Sequence, residues 1–313
     1  MASFTALKAG KARRLPEKIT SRRSTMYVPD FEYHAPNTVA EACAILAELG
    51  DRATVLAGGT DVLHKMKVGK LTPEHLVSLK NLDELREIRE EPGRVVIGAL
   101  ASHNQIYNSR LLQRRYLSLP LAAHTMASNQ ICNLGTVGGN IVNGVPSADL
   151  PPILIALDAS IRLTSARGER TLPLEDFFYG SAQTRIEPGE ILTEISIPDQ
   201  QTTGSTYMKF GLRRSGALAV AAAAVSVQVS GDTLHGVRIV LASAAPTVLR
   251  VTAAERSLIG RRIDDELLTE AGNFAAQASR PRDSIRGSAE YRKNLVGVLT
   301  KRALRKAIEE GHA

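Results

Sequence analysis

The amino-acid sequence predicts an α+β protein with two unequal parts, and three observations support this prediction. A buried run, a double-glycine turn, an amphipathic stretch and a second buried run follow one another over 54–79, which is typical of strand, turn, helix and strand. Three β-rich runs follow the polar stretch at 200–205, and three amphipathic helices come after them, which indicates a sheet with helices on one side. At 313 residues the chain exceeds the usual size of one domain, so two domains or one domain with an added lobe are expected.

The first part is expected to open with a helix that ends at Leu49. Asn37 or Thr38 caps this helix, Gly50 ends it, and its apolar residues fall on one stripe. The elements that follow alternate between strand and helix, and the glycines of 129–143 interrupt regular structure. In chain order these elements are strands at 54–57, 75–79 and 94–99, a helical turn at 62–68, helices at 104–112, 119–127 and 149–158, and strands at 159–164 and 191–197.

The second part is expected to pair three successive strands into an antiparallel sheet and to cover it with helices. The polar stretch at 200–205 is the best candidate for a boundary between the two parts. The predicted elements are strands at 205–213, 217–230 and 233–242, followed by helices at 249–258, 264–278 and 288–310.

The charge distribution argues against a nucleic-acid-binding protein. The net charge is +7, but residues 1–25 hold seven basic residues and a single acidic one, so the remaining chain is close to neutral. Binding to a phosphate backbone requires a basic surface on the folded part, and tryptophan, a common base-stacking residue, is absent. No apolar run approaches the roughly 20 residues that a membrane-spanning helix needs.

The basic leader at 1–25 lacks the apolar core of a secretory signal. We expect a disordered tail, with a translation start at Met26 or a contact with a partner as alternatives. Cys43 and Cys132 are far apart and lack the paired spacing of a zinc or iron–sulfur site. Two buried thiols in a cytoplasmic protein are therefore expected, with a disulfide as the alternative. The histidines are scattered, and the sequence therefore predicts no metal site.

The first segment with chemical content is the double-glycine turn, Leu56-Ala57-Gly58-Gly59-Thr60-Asp61-Val62. It lies between a predicted strand and a predicted helix. Glycines accept positive φ angles and let a ligand approach the main chain, and the amides of such a turn suit a pyrophosphate. A plain strand-to-helix turn explains this segment equally well when it is considered alone.

The second segment is Gly135-Thr136-Val137-Gly138-Gly139-Asn140-Ile141, which Asp149 follows shortly afterwards. Its three glycines expose backbone amides, while Thr136, Asn140 and Asp149 offer hydrogen-bonding groups, the last of them suited to ribose hydroxyls. Asp149 also stands where a helix N-cap or a first-turn acid belongs. Two such segments are able to hold one dinucleotide from both sides.

Six motifs in this order give the chain a specific resemblance to a known family. They are AGGTDVL at 57–63, NQICNLGTVGGNIVNGVPSADLPP at 129–152, LPLEDFF at 172–178, EPGEILTEISIP at 187–198, KFGLRRSGALAVAAAA at 209–224 and APTVLRVTAAE at 245–255. Over about 28–305 the chain resembles the FAD-binding medium subunit of the molybdenum hydroxylases, the xanthine dehydrogenase and carbon monoxide dehydrogenase family.

This resemblance implies a two-lobed FAD-binding domain, of the type also seen in vanillyl-alcohol oxidases, at about 26–85 and 86–200. It implies a smaller C-terminal domain at 205–310 with a three-stranded antiparallel sheet and helices. It also implies that FAD is bound by residues of the two glycine segments and by a few others near the flavin ring. These residues are Leu56, Ala57, Gly58, Gly59, Thr60, Asp61, Val62, Met126, Ala127, Thr136, Gly139, Asn140, Val142, Asn143, Asp149, Leu192 and Lys209.

The function implied by the resemblance is electron transfer within a larger complex. A molybdopterin-binding large subunit and a [2Fe–2S] small subunit are the expected partners, in a cytoplasmic dimer of heterotrimers. The chain is expected to accept electrons from the small subunit and to pass them to NAD⁺ or another acceptor. The flavin carries the redox chemistry, so no general acid or base is assigned. A stand-alone flavin oxidase and an assembly subunit with a decayed flavin site are the alternatives, and a surface salt bridge is the alternative role for Lys209.

Overall fold

The computed structural model describes residues 28–199, 202–213 and 215–311, so the predicted leader at 1–25 and Met26 lie outside it. The described part of the chain begins with a small three-stranded parallel sheet of order β1-β3-β2. The predicted first helix begins after Thr38, whose hydroxyl accepts a hydrogen bond from the amide of Glu41, and ends at Gly50, where φ is 55°. The elements are β1 (Glu32–His34), α1 (Val39–Leu49), β2 (Ala53–Leu56), α2 (Val62–Lys67) and β3 (His75–Ser78).

A second sheet of five antiparallel strands follows, in the order β4-β5-β10-β6-β7. A bundle of short helices connects β5 to β6, and a two-stranded hairpin, β8-β9, lies before β10. The strands are β4 (Ile88–Glu91), β5 (Arg94–Gly98), β6 (Ser160–Ser165), β7 (Gly168–Pro173), β8 (Phe178–Gly180), β9 (Gln183–Thr184) and β10 (Ile191–Pro198). The helices are α3 (His103–Asn108), α4 (Arg110–Arg115), α5 (Ser118–His124), α6 (Asn129–Leu134), α7 (Val137–Val142) and α8 (Leu150–Ala156).

Two predictions for this helical bundle were wrong. The single helix expected at 104–112 is two helices, because Ser109 leaves the helical backbone at ψ 111° and its hydroxyl caps α4. The stretch at 129–143, expected to lack regular structure, forms α6 and α7. Thr136 starts α7 by accepting a hydrogen bond from the amide of Gly139, so a local cap overcomes the low helix propensity of the glycines.

The C-terminal part is a sheet of order β11-β12-β13-β14 with helices against one face. The three predicted strands are present, but a short fourth strand joins them, and the helix predicted at 249–258 therefore begins only at Thr252. Leu249 and Arg250 pair with β13 instead of continuing the helix. The elements are β11 (Gly204–Phe210), β12 (Ala221–Ser230), β13 (Thr233–Ala242), β14 (Leu249–Arg250), α9 (Thr252–Leu258), α10 (Asp265–Ala278) and α11 (Ala289–Gly311).

The alanine-rich strand β12 is buried on both faces. Ala223 and Val225 lie in the core formed with α10 and α11, whereas Ala224 lies in the core shared with α5, α7 and α8. Successive side chains of a strand point to opposite faces, so small residues here allow layers on both sides to approach. This packing fixes the C-terminal sheet against the helical bundle. Within the described residues no helix is long and apolar enough to cross a membrane.

Candidate functional site

A cavity of about 720 Å³ lies where the first glycine turn, the α6–α7 segment, the end of α5 and strand β10 converge. Its volume is in the range of ligand and cofactor sites, and its walls are mainly apolar with a few polar groups. Most of the predicted cofactor residues line it, namely Ala57, Gly58, Gly59, Thr60, Asp61, Val62, Met126, Ala127, Thr136, Gly139, Asn140, Val142, Asn143, Asp149 and Leu192.

Leu56 and Lys209 were also predicted to contact the ligand, but neither lines this cavity. Leu56 ends β2 and is buried in a small core with Met66 and Leu76. The ammonium group of Lys209 lies behind Asp149 and forms a salt bridge with it. Leu56 therefore packs beneath the turn, and Lys209 contacts Asp149, which itself lines the cavity.

The two glycine segments meet in direct backbone contact. A Cβ atom at Gly58 would lie 2.0 Å from the carbonyl oxygen of Leu134, at the end of α6. Gly59 has a φ of +77°, a backbone conformation that residues other than glycine rarely adopt. Gly138 lies against Ala99, whose carbonyl oxygen would be 2.8 Å from an added Cβ atom. Close packing between the two segments therefore requires glycine at these positions, whether or not a ligand also approaches the main chain.

A chain of polar side chains bridges the same two segments at the edge of the cavity. The Nζ atom of Lys65 donates to Asn143 Oδ1 at 2.8 Å, and Asn143 Nδ2 donates to Asp61 Oδ1 at 3.0 Å. Lys65 was missed by the sequence analysis. Its position one helical turn after Asp61 was the available signal, since residues at i and i+4 share a helix face.

Asn140 carries an unsatisfied polar atom in the wall of the cavity. Its Oδ1 atom is buried and has no hydrogen-bond partner within the described part of the chain. Its backbone amide is satisfied by the carbonyl oxygen of Thr136. A buried acceptor without a partner costs free energy unless a ligand or water satisfies it, so this side chain indicates a hydrogen-bond donor in the cavity.

Asp149 is the centre of a buried polar cluster. Tyr207 donates to its Oδ1 atom at 2.6 Å and Lys209 to its Oδ2 atom at 2.9 Å. The two charged side chains are only 7% and 8% exposed, so the surface salt bridge considered for Lys209 is ruled out. Burial raises the pKa of Asp149, although Lys209 and Tyr207 each pull it down. Asp149 stands at the N-cap position of α8, as expected, but its side chain forms no capping hydrogen bond with that helix.

His103 is a buried histidine that the sequence analysis did not single out. It lines the cavity, is 3% exposed, and its Nδ1 atom has no partner among the described residues. Burial lowers its pKa to about 4, so the imidazole is neutral at pH 7. An added Cβ atom at Gly135 would lie 2.9 Å from its Nε2 atom, which explains the glycine at that position.

The far side of the cavity is closed by Ala127 and the loop at 215–218. Ala127 has a positive φ of 31°, and its carbonyl oxygen accepts hydrogen bonds from the amide of Gly216 and the hydroxyl of Ser215. Gly216 and Leu218 line the cavity beside it. Leu192 completes this wall from β10, next to an irregularity in the pairing of β10 with β6. These contacts tie the C-terminal part to the cavity.

Two family models together match most of the chain. The model described as the FAD binding domain in molybdopterin dehydrogenase matches residues 29–200. The model described as the CO dehydrogenase flavoprotein C-terminal domain matches residues 206–307.

The chain is similar to several proteins over nearly its whole length. The medium chain of carbon monoxide dehydrogenase from Hydrogenophaga pseudoflava is 40% identical over 283 residues, which cover 90% of this chain and 98% of the relative. The xanthine dehydrogenase FAD-binding subunit from Escherichia coli O157:H7 is 32% identical over 279 residues, which cover 88% of this chain and 95% of the relative. A solved structure of the Hydrogenophaga carbon monoxide dehydrogenase that lacks the Mo-pyranopterin moiety aligns with a TM-score of 0.88 at 40% identity. The alignment covers 91% of this chain and 99% of the chain in that structure.

These matches confirm the α+β fold and the family resemblance inferred from the motifs. The two models cover the two parts of the chain, and the relatives match it along nearly their full lengths at 30% identity or more. The chain therefore belongs to the FAD-binding medium subunits of the molybdenum hydroxylase family of oxidoreductases.

Proposed function

We propose that the cavity between the two glycine segments is the FAD site. The observation that carries this proposal is the convergence of most of the predicted residues on one cavity that contains an unsatisfied buried acceptor, Asn140 Oδ1. The residues fit such a group. The turn at Gly58 and Gly59 offers backbone amides without side chains in the way, as a pyrophosphate requires, and Lys65 supplies a nearby positive charge.

The proposed roles of the polar residues follow from their partners. Asn140 accepts a hydrogen bond from the cofactor, because no donor among the described residues reaches its Oδ1 atom. Asp61 and Asn143 hold the two segments together, since the Asp61 carboxylate already accepts from Asn143. Lys209 and Tyr207 fix the carboxylate of Asp149 in the wall, and Lys209 places a positive charge next to it. FAD, when bound, supplies the exchange between single electrons and electron pairs.

We further propose how the chain works within its complex. Residues 26–200 form the FAD-binding domain in two lobes and 205–310 the C-terminal domain, in agreement with the ranges of the two family models. The chain accepts electrons from a [2Fe–2S] small subunit beside a molybdopterin-binding large subunit, in a dimer of heterotrimers, and delivers them to NAD⁺ or another acceptor. A cytoplasmic location fits the two buried, free cysteines, Cys43 and Cys132.

The first experiment is the visible absorption spectrum of the purified chain, followed by chromatography of the cofactor that heat releases. Oxidised-flavin bands and released FAD, not FMN, are expected. A colourless chain that also fails to take up added FAD contradicts the proposal and favours an assembly subunit with a decayed site. Substrate turnover by the isolated chain favours a stand-alone oxidase instead.

The site assignment has a sharper test in Asn140→Ala. If Asn140 binds FAD, this variant releases the cofactor more readily in a fluorescence titration than the wild type does. The matched control is Asn104→Ala, because the amide of Asn104 is exposed and pairs with Asn133 outside the cavity. Equal FAD affinity of the Asn140→Ala variant and the wild type contradicts the assignment.

A further inference from the structure

A second group of ligating side chains lies at the start of the parallel sheet. Glu32 and His34 stand two residues apart on β1, so their side chains point to the same face of the sheet. The parallel pairing with β3 sets Glu32 opposite His75. Three potential metal ligands from two strands therefore meet on one face, although 41 positions separate the two histidines.

The ligand atoms are already close to the spacing of a tetrahedral site. His34 Nε2 lies 3.1 Å from His75 Nδ1, and His75 Nδ1 lies 3.4 Å from Glu32 Oε2. All three ligand atoms lie within 4.8 Å of one another. Zinc binds histidine nitrogen at about 2.0–2.1 Å, which places neighbouring ligands of a tetrahedron about 3.3–3.4 Å apart. Small rotations of the side chains bring this set to that geometry.

We propose that Glu32, His34 and His75 bind a divalent zinc-type cation. Two imidazole nitrogens and one carboxylate oxygen are a common ligand set for Zn²⁺, and a water molecule completes the coordination. Glu32 is 75% exposed, so water reaches the fourth position, whereas His75 is 12% exposed and fixed in the sheet. Without a metal, one shared proton links the two imidazole nitrogens and leaves the Glu32 carboxylate aside. A bound cation accepts electron pairs from all three ligand atoms at once.

This site is separate from the FAD cavity. His75 begins β3 and pairs with Ala53 at the beginning of β2, whereas the first glycine turn follows Leu56 at the other end of β2. Three residue steps along a strand span roughly 10 Å, so the cation lies at the opposite end of the sheet from the cofactor. Bound there, it joins the edge strand β1 to β3 and stabilises the start of the described chain.

The test is isothermal titration calorimetry of the full, untagged chain with ZnCl₂ after removal of metals by EDTA. One Zn²⁺ is expected to bind per chain. The variants Glu32→Gln and His34→Gln are expected to weaken binding by more than about tenfold, since losing a ligand costs at least as much as losing a supporting residue. Glu32→Gln changes an exposed side chain and keeps its volume, so it tests the ligand without disturbing the fold.

Two control variants match these changes outside the site. Glu74→Gln removes an exposed carboxylate next to His75, and His235→Gln removes an exposed histidine of the C-terminal sheet. Both are expected to bind Zn²⁺ like the wild type. If the wild type does not bind Zn²⁺ saturably with a Kd below about 100 µM, the proposal is overturned. Binding that is unchanged in either Glu32→Gln or His34→Gln overturns it as well.

Discussion

Replacing Lys209 with methionine tests the buried cluster behind the cavity wall. Lys209→Met keeps most of the side-chain volume but leaves the carboxylate of Asp149 without its counter-charge. The two charged atoms lie 2.9 Å apart. At an effective dielectric constant of about 20, their attraction is about 6 kcal/mol.

Desolvation of both ions offsets much of that attraction, because each side chain is more than nine-tenths buried. Removing one partner of such a pair typically costs about 3–5 kcal/mol, since the other charge stays buried without compensation. We therefore expect the free energy of unfolding of Lys209→Met to fall by about that amount at pH 7. The hydroxyl of Tyr207 still donates to Asp149, which keeps the loss below the full Coulomb energy.

The measurement is urea unfolding of the wild type, Lys209→Met, Asp149→Asn and the double variant. Asp149→Asn removes the negative charge, so the double variant is expected to recover most of the stability lost in Lys209→Met.

The stability of Lys209→Met is also expected to depend on pH. Without Lys209, burial raises the pKa of Asp149 further, so the folded variant binds the proton more tightly than its unfolded chain does. Its deficit relative to the wild type is largest at pH values above this raised folded pKa, where the buried carboxylate is ionised, and shrinks as the pH falls below it. A loss in Lys209→Met below about 1 kcal/mol, the value typical of exposed pairs, refutes the reasoning.

Three further predictions concern the walls of the cavity. Gly58→Ala is expected to lower stability by about 1–3 kcal/mol and to reduce FAD content, because its Cβ atom would lie 2.0 Å from the carbonyl oxygen of Leu134. Gly139→Ala is the matched control for folding, since its Cβ atom would meet only a side-chain hydroxyl at 3.0 Å; equal thermal stability of the two variants contradicts this account. Asn140→Ala is expected to weaken FAD binding by about 1–1.5 kcal/mol in a fluorescence titration. Unfolding of the FAD-free chain is expected to change little, because the Oδ1 atom has no partner in the described part of the protein. Burial lowers the pKa of His103 from 6.5 to about 4, so the free energy of unfolding is expected to fall by about 3 kcal/mol as the pH drops from 6.5 toward 4. In urea unfolding at several pH values, His103→Asn is expected to flatten this part of the profile. An unchanged profile contradicts the prediction.

The sequence was sufficient for much of the local structure. The cap at Thr38, the turn at Gly50 and the three successive strands of the C-terminal sheet follow from patterns a few residues long. Such patterns report helix and strand periodicity and the backbone freedom of glycine. They failed at 104–112, where Ser109 divided an apparently continuous helix, and at 129–143, where the cap at Thr136 formed a helix that glycines disfavour.

The two glycine segments, which the sequence singled out by motifs specific in order and spacing, both line the candidate cavity. Lys209 does not line the cavity, and its predicted contact with the cofactor stays a prediction, because a motif gives a residue's place in the chain and not the direction of its side chain. Its contact with Asp149 bridges 60 positions and depends on how β11 packs against the start of α8.

Only the tertiary structure decided which distant groups meet. The contact of Gly58 with Leu134, the buried cluster around Asp149 and the histidine pair on β1 and β3 all join residues far apart in the chain. Strand register and helix packing set these contacts, and a shift of one residue in a strand turns its side chains to the opposite face. Local composition and spacing carry no such register information, so the sequence predicted the cofactor and the two glycine segments of the candidate site, while the fold determined the charges and contacts around it.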